Sequence, residues 1–260
     1  MRCLDPRTLE RLPGTRLGEN DTFDFRCHPG VACFNRCCRN LNLFLYPYDV
    51  LRLKKRLGIS SDQFLERHVD VVLRDGSHFP EVLLRMSADP EKTCPFLTPE
   101  GCAVYPDRPD ACRTFPLEQG VLFDAVSKRS QVVTFFRPPD FCLGRHEKKT
   151  WTPKTWELDQ EAVVYHRMTA RWAELKGLFQ QDPWGAEGPA GPRAKMAFMA
   201  LYNLDRFREF VFASSFLKRY AVKPALQKKI RKDDAELLKF SLAWVGFFVW
   251  GIPSDLLRPR

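Results

Sequence analysis

Cysteine placement constrains this chain more than any other feature of its sequence. The stretch CHPGVACFNRCC, residues 27–38, contains four cysteines in twelve residues, and two of them are adjacent. Four more lie between residues 94 and 142, whereas residues 143–260 contain none. The role of the thiols is therefore confined to one region of the chain, and the fold must bring that region together.

The chain does not need cysteines to compensate for a small core. With 260 residues, 44% of them hydrophobic, it can form one large domain or two small domains with a packed interior. Residues 1–20 contain no apolar run of signal-peptide length, so we expect a cytoplasmic protein. Stable disulfides are rare in the reducing cytosol, and a dense thiol cluster there more often binds metal. The candidate metal ligands are Cys27, Cys33, Cys37, Cys38, Cys94, Cys102, Cys112 and Cys142.

The spacing of these cysteines bears on which metal they bind. Thiolates suit zinc, copper(I) and iron–sulfur clusters, so eight cysteines provide for two four-cysteine centres, or for one centre with spare redox-active thiols. Only Cys33-x3-Cys37 has the short spacing of a structural zinc hook. Cys37 and Cys38 would point to opposite sides of an extended chain and would then serve different centres, unless only one of them is a ligand. Pro95 follows Cys94, as proline follows a cluster cysteine in ferredoxin-type runs, which favours iron–sulfur.

Other residues near the cysteines have two interpretations each. His28 and His146 each sit near a cysteine and are alternative ligands, although a lone histidine is more often an ordinary polar residue. Arginines beside the thiols would lower thiol pKa values and offset the negative charge of a cysteinate site, or they are ordinary surface charge. These arginines are Arg36, Arg39, Arg108 and Arg113. The ninth cysteine, Cys3, is interpreted as a small buried apolar residue.

Hydrophobic periodicity predicts a mainly helical α+β protein. It predicts an irregular lead-in at 1–22, a loop-rich cysteine-cluster domain at 23–150 with one small antiparallel sheet, and helices at 151–260 that cover it. A long helix is predicted from the Thr152 cap to about Gln181, with Val164, Met168, Trp172, Leu175 and Phe179 as its core stripe.

Two further segments receive predictions from composition. Residues 182–192, DPWGAEGPAGP, are predicted to be a linker. The apolar stretch Leu237–Ile252 would span about 24 Å as a helix, which is short of the roughly 30 Å hydrocarbon core, and Lys239 interrupts it. We therefore predict a buried helix and no membrane span.

Net charge is +9, and part of it is local. Lys218–Lys232, KRYAVKPALQKKIRK, contains seven basic residues and no acidic one. Such a segment is either a binding surface for nucleic acid, anionic lipid or an acidic protein, or a solvated helix face. The solvated face is favoured because no aromatic stacking platform is interleaved with the basic residues.

The segment CPFLTPEGCAVYPDRPDACRTFPL, Cys94–Leu117, preceded by a cluster that contains Cys-Cys, resembles the YkgJ-type cysteine-cluster family, a family named for zinc or iron chelation. DFCLG at Cys142 and the following TWTPKTW are similar to its longer members, and the resemblance covers about residues 23–160. The common N-terminal pattern of the family is Cys-x2-Cys-x2-Cys-Cys, whereas this chain has gaps of five and three residues.

The resemblance implies that the same eight cysteines are ligands of zinc or iron. We expect the cofactor to be an iron–sulfur cluster, with 4Fe–4S favoured, or zinc. Some family members resemble flagellin lysine methylases, which implies protein lysine N-methylation as an alternative, although the chain has no recognisable S-adenosylmethionine loop. A third alternative is a zinc-stabilised interaction module that uses the basic C-terminal surface. The sequence also contains no Gly-x-Gly-x-x-Gly, P-loop, His-Glu-x-x-His or Gly-x-Ser-x-Gly motif, so any reaction would depend on the bound metal.

Overall fold

The computed structural model describes residues 2–4, 9, 12–124 and 129–260. The chain forms two compact units, each built from two separate stretches. The first unit comprises residues 1–43 and 85–174, and the second comprises residues 44–84 and 175–260. The sequence predicts consecutive regions instead, at 23–150 and 151–260, and that linear division stays a prediction.

The protein is mainly helical with several small sheets, which confirms the predicted α+β class. The helices are α1 Pro47–Leu57, α2 Ser61–His68, α3 Asp110–Thr114, α4 Pro153–Asp159, α5 Val163–Leu178, α6 Pro192–Tyr202, α7 Leu204–Ala213, α8 Phe216–Arg219, α9 Pro224–Lys232 and α10 Asp234–Trp250. The strands are β1 Arg2–Leu4, β2 Thr15–Leu17, β3 Phe23–Asp24, β4 Phe44–Leu45, β5 Val69–Val72, β6 Glu81–Leu84, β7 Leu97–Thr98, β8 Gly101–Cys102, β9 Leu117–Asp124, β10 Arg129–Phe136, β11 Thr150–Trp151, β12 Tyr220–Ala221 and β13 Arg258–Pro259. Within the described ranges, no helix is long and apolar enough to cross a membrane.

A four-stranded sheet forms the framework of the first unit. Its strand order is β1-β9-β10-β2, with β9 and β10 antiparallel and β1 parallel to β9. The eight candidate ligand cysteines lie outside this sheet, in turns, short 3-10 segments, the small β7–β8 hairpin and α3, whereas Cys3 belongs to β1. One core cluster of this unit consists of Leu17, Phe23, Phe25, Leu117, Cys142 and Trp156.

Helices surround a three-stranded sheet in the second unit. The sheet has the order β4-β6-β5 with antiparallel pairs, and α10 packs against α1, α6, α7 and α9. Local signals explain several helix ends. Pro47 occupies the first turn of α1, Gly58 closes it at φ 66°, and the Ser60–Gln63 capping box begins α2.

The prediction of one small sheet is wrong, because the strands belong to different sheets. β6 pairs with β4 and β5 in the second unit, whereas β9 and β10 pair in the first. Strand propensity in a sequence does not identify the partner strand, which depends on tertiary packing.

The predicted long helix is interrupted. Thr152 caps α4 as expected, but α4 ends at Asp159, Glu161 adopts φ 52°, and α5 begins at Val163. Val164 is 49% exposed, whereas Met168, Trp172, Leu175 and Phe179 are buried.

The predicted linker at 182–192 is wrong as well. Trp184 is only 3% exposed, and its indole N–H donates to the carbonyl of His78 at 2.5 Å. Both residues belong to the second unit, so the segment is packed within that unit.

Candidate metal centre

Tight turns bring the N-terminal cysteines together. The N–H of Val31 donates to the carbonyl of His28 at 3.0 Å, and the N–H of Arg36 donates to the carbonyl of Cys33 at 2.9 Å. Asn35 adopts a left-handed φ of 62° and precedes a short 3-10 segment, Arg36–Cys38. Asparagine tolerates this conformation better than most residues do. The chain therefore coils on itself between the cysteines instead of extending through them.

Backbone pairing brings Cys94 beside Cys38. The N–H of Cys94 donates to the carbonyl of Cys38 at 2.8 Å, and the N–H of Asn40 donates to the carbonyl of Lys92 at 3.0 Å. Arg39 and Thr93 form an antiparallel bridge between these two contacts. These hydrogen bonds join parts of the chain that are more than fifty residues apart in sequence.

Cys102 and Cys112 lie further along the same segment. Cys102 ends the β7–β8 hairpin, where it pairs with Leu97. Cys112 lies on α3, and the indole N–H of Trp156 donates to the Thr114 carbonyl at the end of this helix at 2.9 Å.

Close backbone contacts hold the segment that contains Cys142. The N–H of Arg26 donates to the carbonyl of Gly144 at 3.1 Å, and a Cβ at Gly144 would lie only 2.7 Å from the Arg26 carbonyl oxygen. The N–H of Leu143 donates to Cys33 Sγ at 3.1 Å. Cys142 is therefore held close to the N-terminal cysteines, although more than one hundred residues separate it from them in sequence.

Electrostatic interactions divide the eight thiols into two sets of four. A thiolate at Cys27 interacts with Cys37, Cys33 and Cys142, and Cys142 interacts in turn with Cys33 and Cys37. We call Cys27, Cys33, Cys37 and Cys142 the first thiol group.

The remaining four cysteines form the second thiol group. Cys38 interacts with Cys112 and Cys94, and Cys94 interacts with Cys102 and, across the boundary between the groups, with Cys37. The second thiol group is therefore Cys38, Cys94, Cys102 and Cys112. Cys37 and Cys38, which are adjacent in sequence, fall in different groups and interact with each other across the boundary.

None of the eight cysteines in the two thiol groups forms a disulfide bond. Among the residues that the structure describes, no group of three or more His, Cys, Asp or Glu side chains could hold a metal ion in the arrangement observed. Each thiol group is therefore a set of neighbouring thiols whose sulfur atoms are not arranged around a single metal position.

The thiol pKa values differ strongly across the boundary between the groups. Burial, with a smaller contribution from nearby thiolate charge, raises the pKa of Cys27 to about 11. The hydrogen bond that the Cys38 thiol donates to Cys37 lowers the pKa of Cys37 to about 7, and the same bond raises the pKa of Cys38. Of these thiols, Cys37 most readily becomes a thiolate near neutral pH.

Backbone N–H groups point at several sulfur atoms. Burial raises the pKa of Cys94, Cys102 and Cys142, and N–H groups that donate to each sulfur oppose that rise. The donors are Phe96 and Leu97 for Cys94, Val104 for Cys102, and Gly144 and Arg145 for Cys142. These amides favour the thiolate, which is the form that binds metal.

Two buried arginines lie next to the second thiol group. Arg108 is 8% exposed, and its guanidinium donates to the Tyr105 carbonyl and to Gln160 Oε1, each at 2.7 Å. These partners are neutral, and within the described ranges no carboxylate pairs with Arg108. Its charge interacts with Cys102 and Cys112. The thiols of the second group are therefore the neighbours that can balance this charge.

Arg113 supports the loop that carries Cys112. It is 1% exposed and donates to the carbonyls of Pro106 and Gln160, each at 2.5 Å. Glu161, at 4.0 Å, is 83% exposed and so screens the Arg113 charge weakly. The Gln160 carbonyl that Arg113 binds lies in the break between α4 and α5. Sequence reasoning missed the role of Gln160, because nothing local marks a glutamine as the acceptor of distant arginines.

The other residues named from the sequence have different surroundings. His28 Nε2 lies 3.4 Å from Glu147 Oε2, and its Nδ1 accepts from the N–H of Gly30 at 3.2 Å. His146 is exposed and contacts the Arg145 side chain. Arg36 lies over the ring of Phe141, and Arg39 pairs with Glu91 at 2.9 Å. The contacts of both histidines are those of ordinary polar residues.

Part of the chain matches a known family of domains. The sequence model of the CxxCxxCC family, described as "Putative zinc- or iron-chelating domain", matches residues 26–151. This match confirms the resemblance to the YkgJ-type cysteine-cluster proteins, and all eight cysteines of the two thiol groups fall within it. Neither the comparison with curated proteins nor that with solved structures gives a match.

Proposed function

We propose that residues 26–151 bind two iron–sulfur clusters of the 4Fe–4S type, one through each thiol group. The observation that carries this proposal is the division of eight cysteines into two sets of four, with Cys37 in one set and Cys38 in the other. Four cysteines is the usual ligand count for such a cluster. Binding would draw the four sulfurs of each group around the inorganic core.

The chemistry of the donors supports the proposal. Each of the eight candidate ligands is a cysteine outside any disulfide bond, and thiolates are the ligands that iron–sulfur clusters require. Hydrogen bonds to sulfur and local positive charge are features by which proteins tune such clusters. Here backbone N–H groups supply the former, and Arg108 supplies the latter to the second thiol group.

Spacing favours iron–sulfur over zinc. Structural zinc sites usually combine two separate Cys-x2-4-Cys hooks. In this chain the two pairs with such spacing, Cys33-x3-Cys37 and Cys33-x4-Cys38, share Cys33 and therefore provide only one hook. When bound, an iron–sulfur cluster supplies one-electron chemistry. The contribution of the chain is to hold the sulfurs, to donate hydrogen bonds to them, and to balance the negative charge that thiolates and inorganic sulfide bring.

The test is metal and acid-labile sulfide analysis of the full chain purified without oxygen, together with a visible absorption spectrum. We expect about eight iron and about eight sulfide per chain, with broad visible absorbance that dithionite bleaches. About four of each would refute the two-cluster arrangement and leave one cluster. Zinc without sulfide would replace the proposal with a structural zinc domain, and neither metal after reconstitution would overturn metal binding altogether.

A further inference from the structure

A dense array of basic side chains covers part of the second unit. It is contributed by α8, by α9 and by the connection between them. Seven residues of this segment are exposed: Lys218, Arg219, Lys223, Lys228, Lys229, Arg231 and Lys232. The buried side of α9 is apolar, since Ile230 is 0% exposed. The basic residues thus form the exposed face of the amphipathic helix α9 and of the chain that leads into it.

The C-terminus adds two more arginines to this array. Strand β13 pairs antiparallel with β12, which aligns Arg258 with Ala221. The N–H of Arg260 donates to the carbonyl of Arg219 at 2.9 Å. Arg258 and Arg260 are both exposed. We call these nine side chains the basic surface; the sequence does not reveal it as one surface, because two members lie far from the rest along the chain.

The charges of the basic surface are not balanced locally. Within the described part of the chain, none of its nine side chains forms an ion pair, whereas Arg206, Arg208 and Lys239 of the same unit are paired with carboxylates. Lys228 and Lys232 are four residues apart on one helix, where like charges are neighbours and repel each other. A polyanion would relieve this repulsion.

The surface lacks the features of a protein-binding or single-strand-binding site. Of the residues whose burial is described, no large apolar side chain in 216–232 or 258–260 is exposed, so the surface has no apolar anchor for a protein partner. The one aromatic ring within the basic segment, Tyr220, is half-buried and packs between Phe216 and Phe247. It is therefore not available for base stacking.

We propose that the basic surface binds the phosphate backbone of double-stranded nucleic acid without sequence preference. Lysine and arginine contacts to phosphate need neither an apolar anchor nor a stacking ring, and they provide most of the affinity in non-specific binding. This inference is independent of the metal content of the first unit.

The test uses the full-length protein and a fluorescein-labelled DNA duplex of about 20 base pairs, with anisotropy measured at several salt concentrations. The variant is Lys228→Gln with Lys232→Gln, and the matched control is Lys55→Gln with Lys195→Gln, which removes the same charge from exposed positions on α1 and α6 of the same unit. Glutamine is nearly as good a helix former as lysine, so both variants should fold, and circular dichroism checks this.

We expect the wild-type protein to bind the duplex and the Lys228/Lys232 variant to lose about two units of the slope of log K against log salt. At 0.1 M salt the affinity would then fall by up to about 60-fold, at roughly eightfold per lost contact. The Lys55/Lys195 control should keep the wild-type slope. Equal losses in both variants would overturn the proposal, as would absence of duplex binding at low salt. Tighter binding of poly-glutamate than of the duplex would assign the surface to an acidic protein instead.

Discussion

Replacing Cys37 by serine is expected to empty the first thiol group and to leave the second group loaded. Cys38→Ser is expected to do the reverse. These two substitutions alter adjacent residues in the same short 3-10 segment, so their effects on local folding should be similar. Any difference between them then reports which centre each sulfur serves.

The magnitude follows from the division of the thiols. Each group contains four cysteines, and a hydroxyl is a poor replacement for a soft thiolate ligand. Loss of one ligand of four should therefore release one cluster of two. Iron and sulfide are expected to fall by about half in each single variant, and to be nearly absent in the double variant.

The assay is quantification of iron and acid-labile sulfide after anaerobic purification and reconstitution, normalised to protein. Cys3→Ser is the control, because Cys3 lies outside the matched residues 26–151. Near-complete loss in both single variants would show that all eight thiols serve one centre, and full retention in either would exclude that cysteine as a ligand. Both results would refute the two-group reasoning.

Three further predictions follow from buried charges. Arg108→Gln removes the positive charge next to Cys102 and Cys112 and is expected to weaken metal retention by about 10- to 100-fold, measured by competition with a chelator. Lys54 Nζ lies 2.8 Å from Asp205 and 3.2 Å from Asp234, so Lys54→Met leaves both carboxylates without their shared lysine. This variant is expected to lower the free energy of unfolding, measured by urea titration, by about 2–3 kcal/mol. An unchanged free energy of unfolding would contradict this role of Lys54. Burial acts to raise the pKa of Asp205 and Asp234, but hydrogen bonds from Lys54 to the first and from Arg208 to the second outweigh it, so both pKa values lie below 3.8. The folded state therefore binds fewer protons than the unfolded state at these two carboxylates, so the free energy of unfolding should fall as the pH drops below about 4. This fall should be smaller in the Lys54→Met variant.

Local signals in the sequence account for several helix ends. Pro47 and Gly58 bound α1, the Ser60–Gln63 capping box begins α2, and Asp233 caps α10. Each of these signals acts through hydrogen bonds or backbone conformations within a few residues. They can therefore be evaluated without knowledge of the rest of the fold.

Long-range contacts explain the predictions that failed. Arg113 binds the carbonyl of Gln160, which lies where one continuous helix was predicted. The indole of Trp184 binds the carbonyl of His78 and buries a segment whose glycine and proline content suggested a linker. In both cases a hydrogen bond between residues far apart in sequence outweighed the conformation that the local sequence favours.

The sequence by itself determined that eight thiols are concentrated in residues 27–142, that disulfides are not needed to complete the core, and that residues 26–151 match a zinc- or iron-chelating type of domain. Only the tertiary structure decided which thiols are neighbours. The hydrogen bond from Cys94 N–H to the Cys38 carbonyl and that from Leu143 N–H to Cys33 Sγ join distant parts of the chain. Backbone groups are the same in every residue, so the sequence does not mark which of them will pair across such distances.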